Sequence, residues 1–177
     1  MPLQYAHLDD RTRTLMLSEI EADIKAGKLY VSDNLSERGC AEYPALLLAA
    51  AQSGSDATLA EAIHPRLNSH AKPRQLKSGG YSKPPVMRTG AHEMLADGEF
   101  NRYYMRALCL RVIEDGIKSV VVYRAKEVSN PRSGSEEMIG KHMAPDELLQ
   151  DLRAHIGVDT ALGLPPGPNS GLCIRLA

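Results

Sequence analysis

Apolar positions along this chain recur mostly at three- and four-residue spacing, in blocks separated by glycine and proline. The longest block lies between Asp97-Gly98 and Gly116, where Phe100, Tyr103, Tyr104, Ala107, Leu108 and Leu110 trace a wide apolar face. An aspartate oxygen can accept from the orphan amides of a first turn, and glycine supplies the left-handed residue that ends a helix. The pattern therefore predicts a long central helix over 99–115. Ahead of it Thr89 can cap a short helix from Gly90 to Ala96, and after it the β-branched run Lys118–Tyr123 predicts a strand.

Similar blocks flank this element. Asp9-Asp10 opens a helix to about Ala26, with Leu17, Ile20 and Ile24 on one stripe and Gly27 as its stop. Lys28 to Val31 reads as one turn of strand or a simple connection. Glu42–Gln52 is almost wholly apolar and predicts a buried helix, and Ser55-Asp56 caps a shorter one that His64-Pro65 ends, because a residue before proline avoids the α region. Further on, Ser129–Gly140 and Gly163–Gly171 read as loops. Pro145-Asp146-Glu147 starts a helix that presents Leu148, Leu149, Leu152 and Ile156 and stops at Gly157. Leu172–Leu176 predicts a terminal strand, and pairing it with 118–123 gives a minimal sheet covered by two helices.

The periodicity lapses only from His64 to Arg88, a stretch with four prolines and a Gly-Gly pair. This divides the chain into a helical module, 1–63, an extended basic connector, 64–88, and an α+β module, 89–177, built on the 99–115 helix. The predicted class is α+β, mainly helical, with the C-terminal helices packed on a small β-sheet.

Composition sharpens this division. Of 177 residues only one is Phe and none is Trp, so the core must come from Leu, Ala, Val, Ile and Met. The net charge of -1 conceals a pattern: ten acids against five bases in 1–63, six bases and no acid in 64–88, twelve acids against ten bases in 89–177. Cys40, Cys109 and Cys173 are odd in number and lack paired spacing, which points to free thiols and a reducing compartment. The N-terminus has no apolar run of signal-peptide type and no stretch approaches the ~20 apolar residues of a membrane span, so no membrane partner is expected.

Catalytic patterns are sparse. His7, His64, His70, His92, His142 and His155 form no HExxH and no i,i+4 pair, and no GxSxG, Walker loop or GxGxxG occurs. No catalytic, cofactor-binding or metal residue is therefore expected. Asp115 followed by VVVYRAK approaches a nuclease pattern, but Arg124 stands where a metal-binding carboxylate is needed. Arg124 with Ser133, Ser135 and Glu136-Glu137 follows the Arg, Ser, Glu order of ADP-ribosyltransferases, with too few strands left to build that fold. Arg102 and Arg106 share a helical stripe, with Arg111 about 140° away, and read as surface groups paired with Glu99, Glu114 and neighbouring acids. The connector carries the stronger signal: Arg66, Lys72, Arg74, Lys77, Lys83 and Arg88, without a compensating acid, would attract phosphate or an acidic protein surface. Only Tyr81 is available there for base stacking.

Four strings resemble, in combination, a family of small uncharacterised proteins of tailed bacteriophages and prophages: LDDRTRTLMLSEIEADIKAGKLY, ADGEFNRYYMRALCLRVIEDG, VVVYRAKEVSNPR with SEEMIG, and GLPPGPNSGL. The resemblance carries no named activity. It implies a non-enzymatic virion structural or assembly protein, made in the host cytoplasm and partnered by other protein subunits in a homo- or hetero-oligomer. The alternative is a nucleic-acid-binding regulator that uses the basic 64–88 arm, and a small enzyme ranks third.

Overall fold

The computed structural model describes residues 2–131, 133–157 and 170–177, the side chain of Ser133 excepted. Its architecture is mainly helical α+β: helices α1 (Asp10–Ala26), α2 (Glu37–Ser53), α3 (Asp56–Ile63), α4 (Ala91–Glu114), α5 (Ser133–Glu136) and α6 (Pro145–Ala154), with strands β1 (Val120–Arg124), β2 (His142–Met143) and β3 (Leu172–Leu176). The strands form one antiparallel sheet in the order β2-β1-β3. The pairing expected between the two longer strands is present, with Val120 opposite Leu176 and Arg124 opposite Leu172. The two-residue strand β2 falls where no strand was expected.

Local signals account for most boundaries. Asp9 caps α1 by accepting from the Thr12 amide, and Ser55 and Thr58 form a reciprocal capping box on α3. Gly27 and Gly116 follow α1 and α4 as anticipated. Two boundaries moved. α2 begins at Glu37 because Ser36 accepts from the Gly39 amide at 3.1 Å, and the helix absorbs Pro44 in its interior. α4 runs unbroken from Ala91 to Glu114. The expected short helix and central helix are thus one element, and Asp97-Gly98 lies inside it.

That helix is the centre of the molecule. α1, α3, α6 and β3 all pack on it, and one apolar cluster runs from Leu3 through Met16, Leu47, Ile63 and Phe100 to Leu152 and Ile174. Residues 1–63 and 89–177 therefore contribute to a common core. Phe100, Tyr103, Tyr104, Ala107 and Leu108 are buried as their spacing implied. The N-terminal strap closes over them: the Tyr5 ring packs tilted against Phe100 and Tyr104, with ring centroids 5.3 and 4.7 Å away, while the Gln4 backbone N–H donates to Ala125 O.

The arginines of α4 overturn the surface reading. Arg102 and Arg106 are buried, and α1 turns Glu19 and Asp23 inward to meet Arg106, so Ile24 is left exposed. Arg106 donates to Glu19 Oε2 at 2.6 Å and to Asp23 Oδ2 and Oδ1 at 2.6 and 3.1 Å. Tyr103 donates to Asp23 at 2.8 Å, its ring lies 4.8 Å beneath the Arg106 guanidinium, and Arg153 of α6 reaches Glu19 at 2.5 Å. Two arginines thus face two carboxylates, and three helices are tied together. Arg102 instead donates to Leu152 O and His155 O at 3.3 and 2.5 Å, capping the carbonyl end of α6.

Candidate functional site

The basic stretch is folded back on itself. Leu67 pairs with Leu35, His70 with Val86 and Gln75 with Tyr81, so the segment leaves the core as an antiparallel ribbon. Backbone bonds run from Ala71 N to Pro85 O (2.9 Å), Met87 N to Ser69 O (2.8 Å), Ser82 N to Arg74 O (2.8 Å) and Leu76 N to Gly80 O (3.0 Å). The turn at its tip requires positive φ at Gly79 and Gly80, 88° and 78°, which glycine adopts without steric cost. The glycine pair and prolines that marked the stretch as a connector in fact build a projecting arm.

The six basic residues part company on this arm. Arg66, at its root, is held by Glu42 at 2.5 Å and by Ala62 O at 2.6 Å. Lys72 meets Asp33 at 2.7 Å in an exposed pair. Arg74, Lys77, Lys83 and Arg88 are exposed and make no ion pair among the described residues. Lys77 and Lys83 sit on the outer arm. Arg74 and Arg88 instead line a cavity of about 640 Å³ between the arm's base and α4.

The cavity floor is the α4 stripe containing Leu95, Gly98, Asn101, Arg102 and Met105. Its walls come from Leu3, from Tyr30, Ser32 and Asn34 in the α1–α2 connection, and from Lys126, Leu152 and Leu172. Gly157 is needed at its edge on two counts: its φ is +70°, and a side chain there would collide with the Tyr30 ring. Volumes of about 300–1,000 Å³ are usual for small-molecule sites.

Two polar side chains of the cavity lining are incompletely satisfied. Asn101 donates to Leu172 O at 2.8 Å, which turns its Oδ1 away, and that atom is buried without a partner. Glu99, 4% exposed, has its Oε1 3.5 Å from the Arg102 guanidinium and its Oε2 without a partner. A buried polar group left unsatisfied costs about 1–3 kcal/mol. Burial pushes the Glu99 carboxyl above its ordinary range, and the Arg102 charge opposes this without reversing it. Burial likewise raises Asp97, against the Lys126 ammonium that bonds it at 2.5 Å, and neighbouring Asp56 adds to the rise.

Sequence reasoning chose Arg74 and Arg88 for their charge but missed Glu99 and Asn101. Glu99 and Asn101 stand among Asp97, Arg102 and Arg106 on the same helix, and a 3.6-residue period alone cannot tell an inward polar residue from an outward one. The other candidate patterns resolve into structural contacts. Arg124 donates to Ser170 O at 2.7 Å, Ser135 Oγ at 3.3 Å and Glu136 at 2.7 Å, clamping α5 and the start of β3 to β1. Asp115 pairs with Arg11 at 2.8 Å. His64 and His92 stack with centroids 4.3 Å apart, and among the described residues no group of three or more His, Cys, Asp or Glu is placed to hold a metal. All three cysteines are free thiols, with Cys109 and Cys173 buried. Most of the Gly163–Gly171 loop lies outside the described residues. No helix among the described residues is long and apolar enough to cross a membrane.

No family model, curated protein or solved structure matches the chain.

Proposed function

We propose that this protein is a non-enzymatic assembly component of a bacteriophage, built into the virion or its assembly intermediates, and that its arm grips a neighbouring copy of the same chain. One observation carries the reading: the projecting ribbon combines uncompensated positive charge with exposed apolar side chains. Leu76, Tyr81 and Val86 are 45%, 70% and 75% exposed on the segment that carries Lys77 and Lys83. Isolated surface hydrophobes need no explanation, but their concentration on a projecting element marks a contact surface. Acids that answer this charge are exposed on the same chain: Glu21 of α1, Glu37 of α2 and Glu61 of α3. The resemblance to small phage proteins supports the biological setting, the host cytoplasm and then the particle.

The nucleic-acid reading is weaker. Arg66 is committed to Glu42, Lys72 to Asp33, and Arg74 and Arg88 face the cavity. Only Lys77 and Lys83 remain on the outer arm, and two phosphate contacts give a shallow salt dependence and little affinity.

Light scattering on the natively purified full chain tests the proposal. The expected result is an oligomer at low ionic strength whose mass falls to that of the monomer when Lys77 and Lys83 are both changed to Glu. A monomer at every concentration and salt would sink the reading. Tight, salt-dependent duplex binding lost in the same variant would replace it with the regulator.

A further inference from the structure

We propose that the cavity between α4 and the base of the arm is a binding site for an amphipathic organic anion, whose apolar body lies on Leu95, Met105 and Leu172 and whose negative group is held by Arg74 and Arg88. The inference is independent of the assembly reading, which rests on the outer arm.

Two observations converge. The space is large enough for a molecule of two or three rings, at about 640 Å³. It is lined by aliphatic and thioether side chains well suited to an apolar body.

The sign of the ligand's charge follows from the rim. Asp97 is matched by Lys126, whereas Arg74 and Arg88 are exposed lining residues without an ion-pair partner among the described residues. A cation would meet two uncompensated guanidinium groups on entry. A carboxylate, sulfonate or phosphate would be attracted by both, and Arg presents a fork suited to bidentate contact with such groups.

The test uses two fluorescent probes of the same ring system on the full chain: 1-anilinonaphthalene-8-sulfonate, and N-phenyl-1-naphthylamine, which lacks the sulfonate. The sulfonate probe is expected to bind saturably at one site per chain. Changing Arg74 and Arg88 together to Glu should weaken it at least tenfold while altering the uncharged probe less than twofold. Both side chains are exposed, so the variant should melt with the wild type. A second readout needs no variant: in methyl-labelled methionine spectra the probe should shift Met94 and Met105, which line the cavity, and leave Met16, buried on α1, in place. Non-saturating binding, equal loss of both probes, undiminished sulfonate binding in the double variant, or equal shifts at Met16 and Met105 would each overturn the proposal.

Discussion

Helix α4 carries polar side chains into the interior at two places about two turns apart, and they are finished in opposite ways. Around Arg106, 2% exposed, every charge is answered: Glu19, Asp23, Arg153 and Tyr103 supply short hydrogen bonds, and the positive and negative groups are equal in number. Around Glu99 and Asn101 two buried oxygens have no partner among the described residues. A closed network rigidifies a fold and fixes the relative placement of its elements. An unclosed one leaves desolvated oxygens unanswered, at about 1–3 kcal/mol each. Buried polarity therefore stabilises a fold only as far as its hydrogen bonding is completed.

The comparison breaks most readily at Arg106. Changing it to Ala leaves Glu19 with Arg153 alone and Asp23 with only the Tyr103 hydroxyl, and breaking a buried pair costs about 3–5 kcal/mol, a large share of the ~5–15 kcal/mol that holds a domain together. Urea denaturation should show that loss in full. A variant as stable as wild type would mean the carboxylates swing out to solvent and the network is ornamental.

Proton linkage distinguishes the two regions by sign. Burial pushes Glu19 and Asp23 up, but the hydrogen bonds and charge of Arg106, with Arg153 at Glu19 and Tyr103 at Asp23, more than offset it and hold both below their ordinary values. Their stabilising effect is present above the unfolded carboxyl range and is lost as pH falls through their depressed folded values. Glu99 runs the other way: its raised carboxyl stabilises the fold below the unfolded range, and that contribution disappears as pH rises through the folded value. Stability measured by urea at a series of pH values should therefore show Glu99→Gln gaining on wild type as pH rises from about 4, the ordinary carboxyl range. Glu19→Gln should lose ground over the acid range as the wild-type carboxylates ionise. Parallel curves for both variants would erase the distinction.

The smallest effect is expected at the surface. Arg38 pairs with Glu42 at 2.7 Å, yet its side chain is 77% exposed and Glu42 also holds Arg66. Such pairs contribute little once solvent screens them. Arg38→Ala should leave the urea midpoint where it is, and a clear drop would show that the Arg66 root of the arm depends on the pair.

Sequence alone determined the elements whose signals are local. Caps at Asp9 and Ser55, the glycine stops after α1 and α4, the proline start of α6 and the β-branched run of β1 all act within one or two turns, or through a period the chain itself displays. The buried positions of Phe100, Tyr104 and Leu108 followed from that period. What only the tertiary structure decided depends on partners far along the chain. Arg106 is buried because Glu19 and Asp23, 87 and 83 positions earlier, turn inward to neutralise it. The proline-rich connector became an arm through pairings whose register no alternation announced, and the cavity exists because that arm, α4 and the α1–α2 connection meet without filling the space between them. Arginine on a helical stripe looks alike whether water or a carboxylate awaits it, and desolvation, which separates the two cases, is set only when the helices pack.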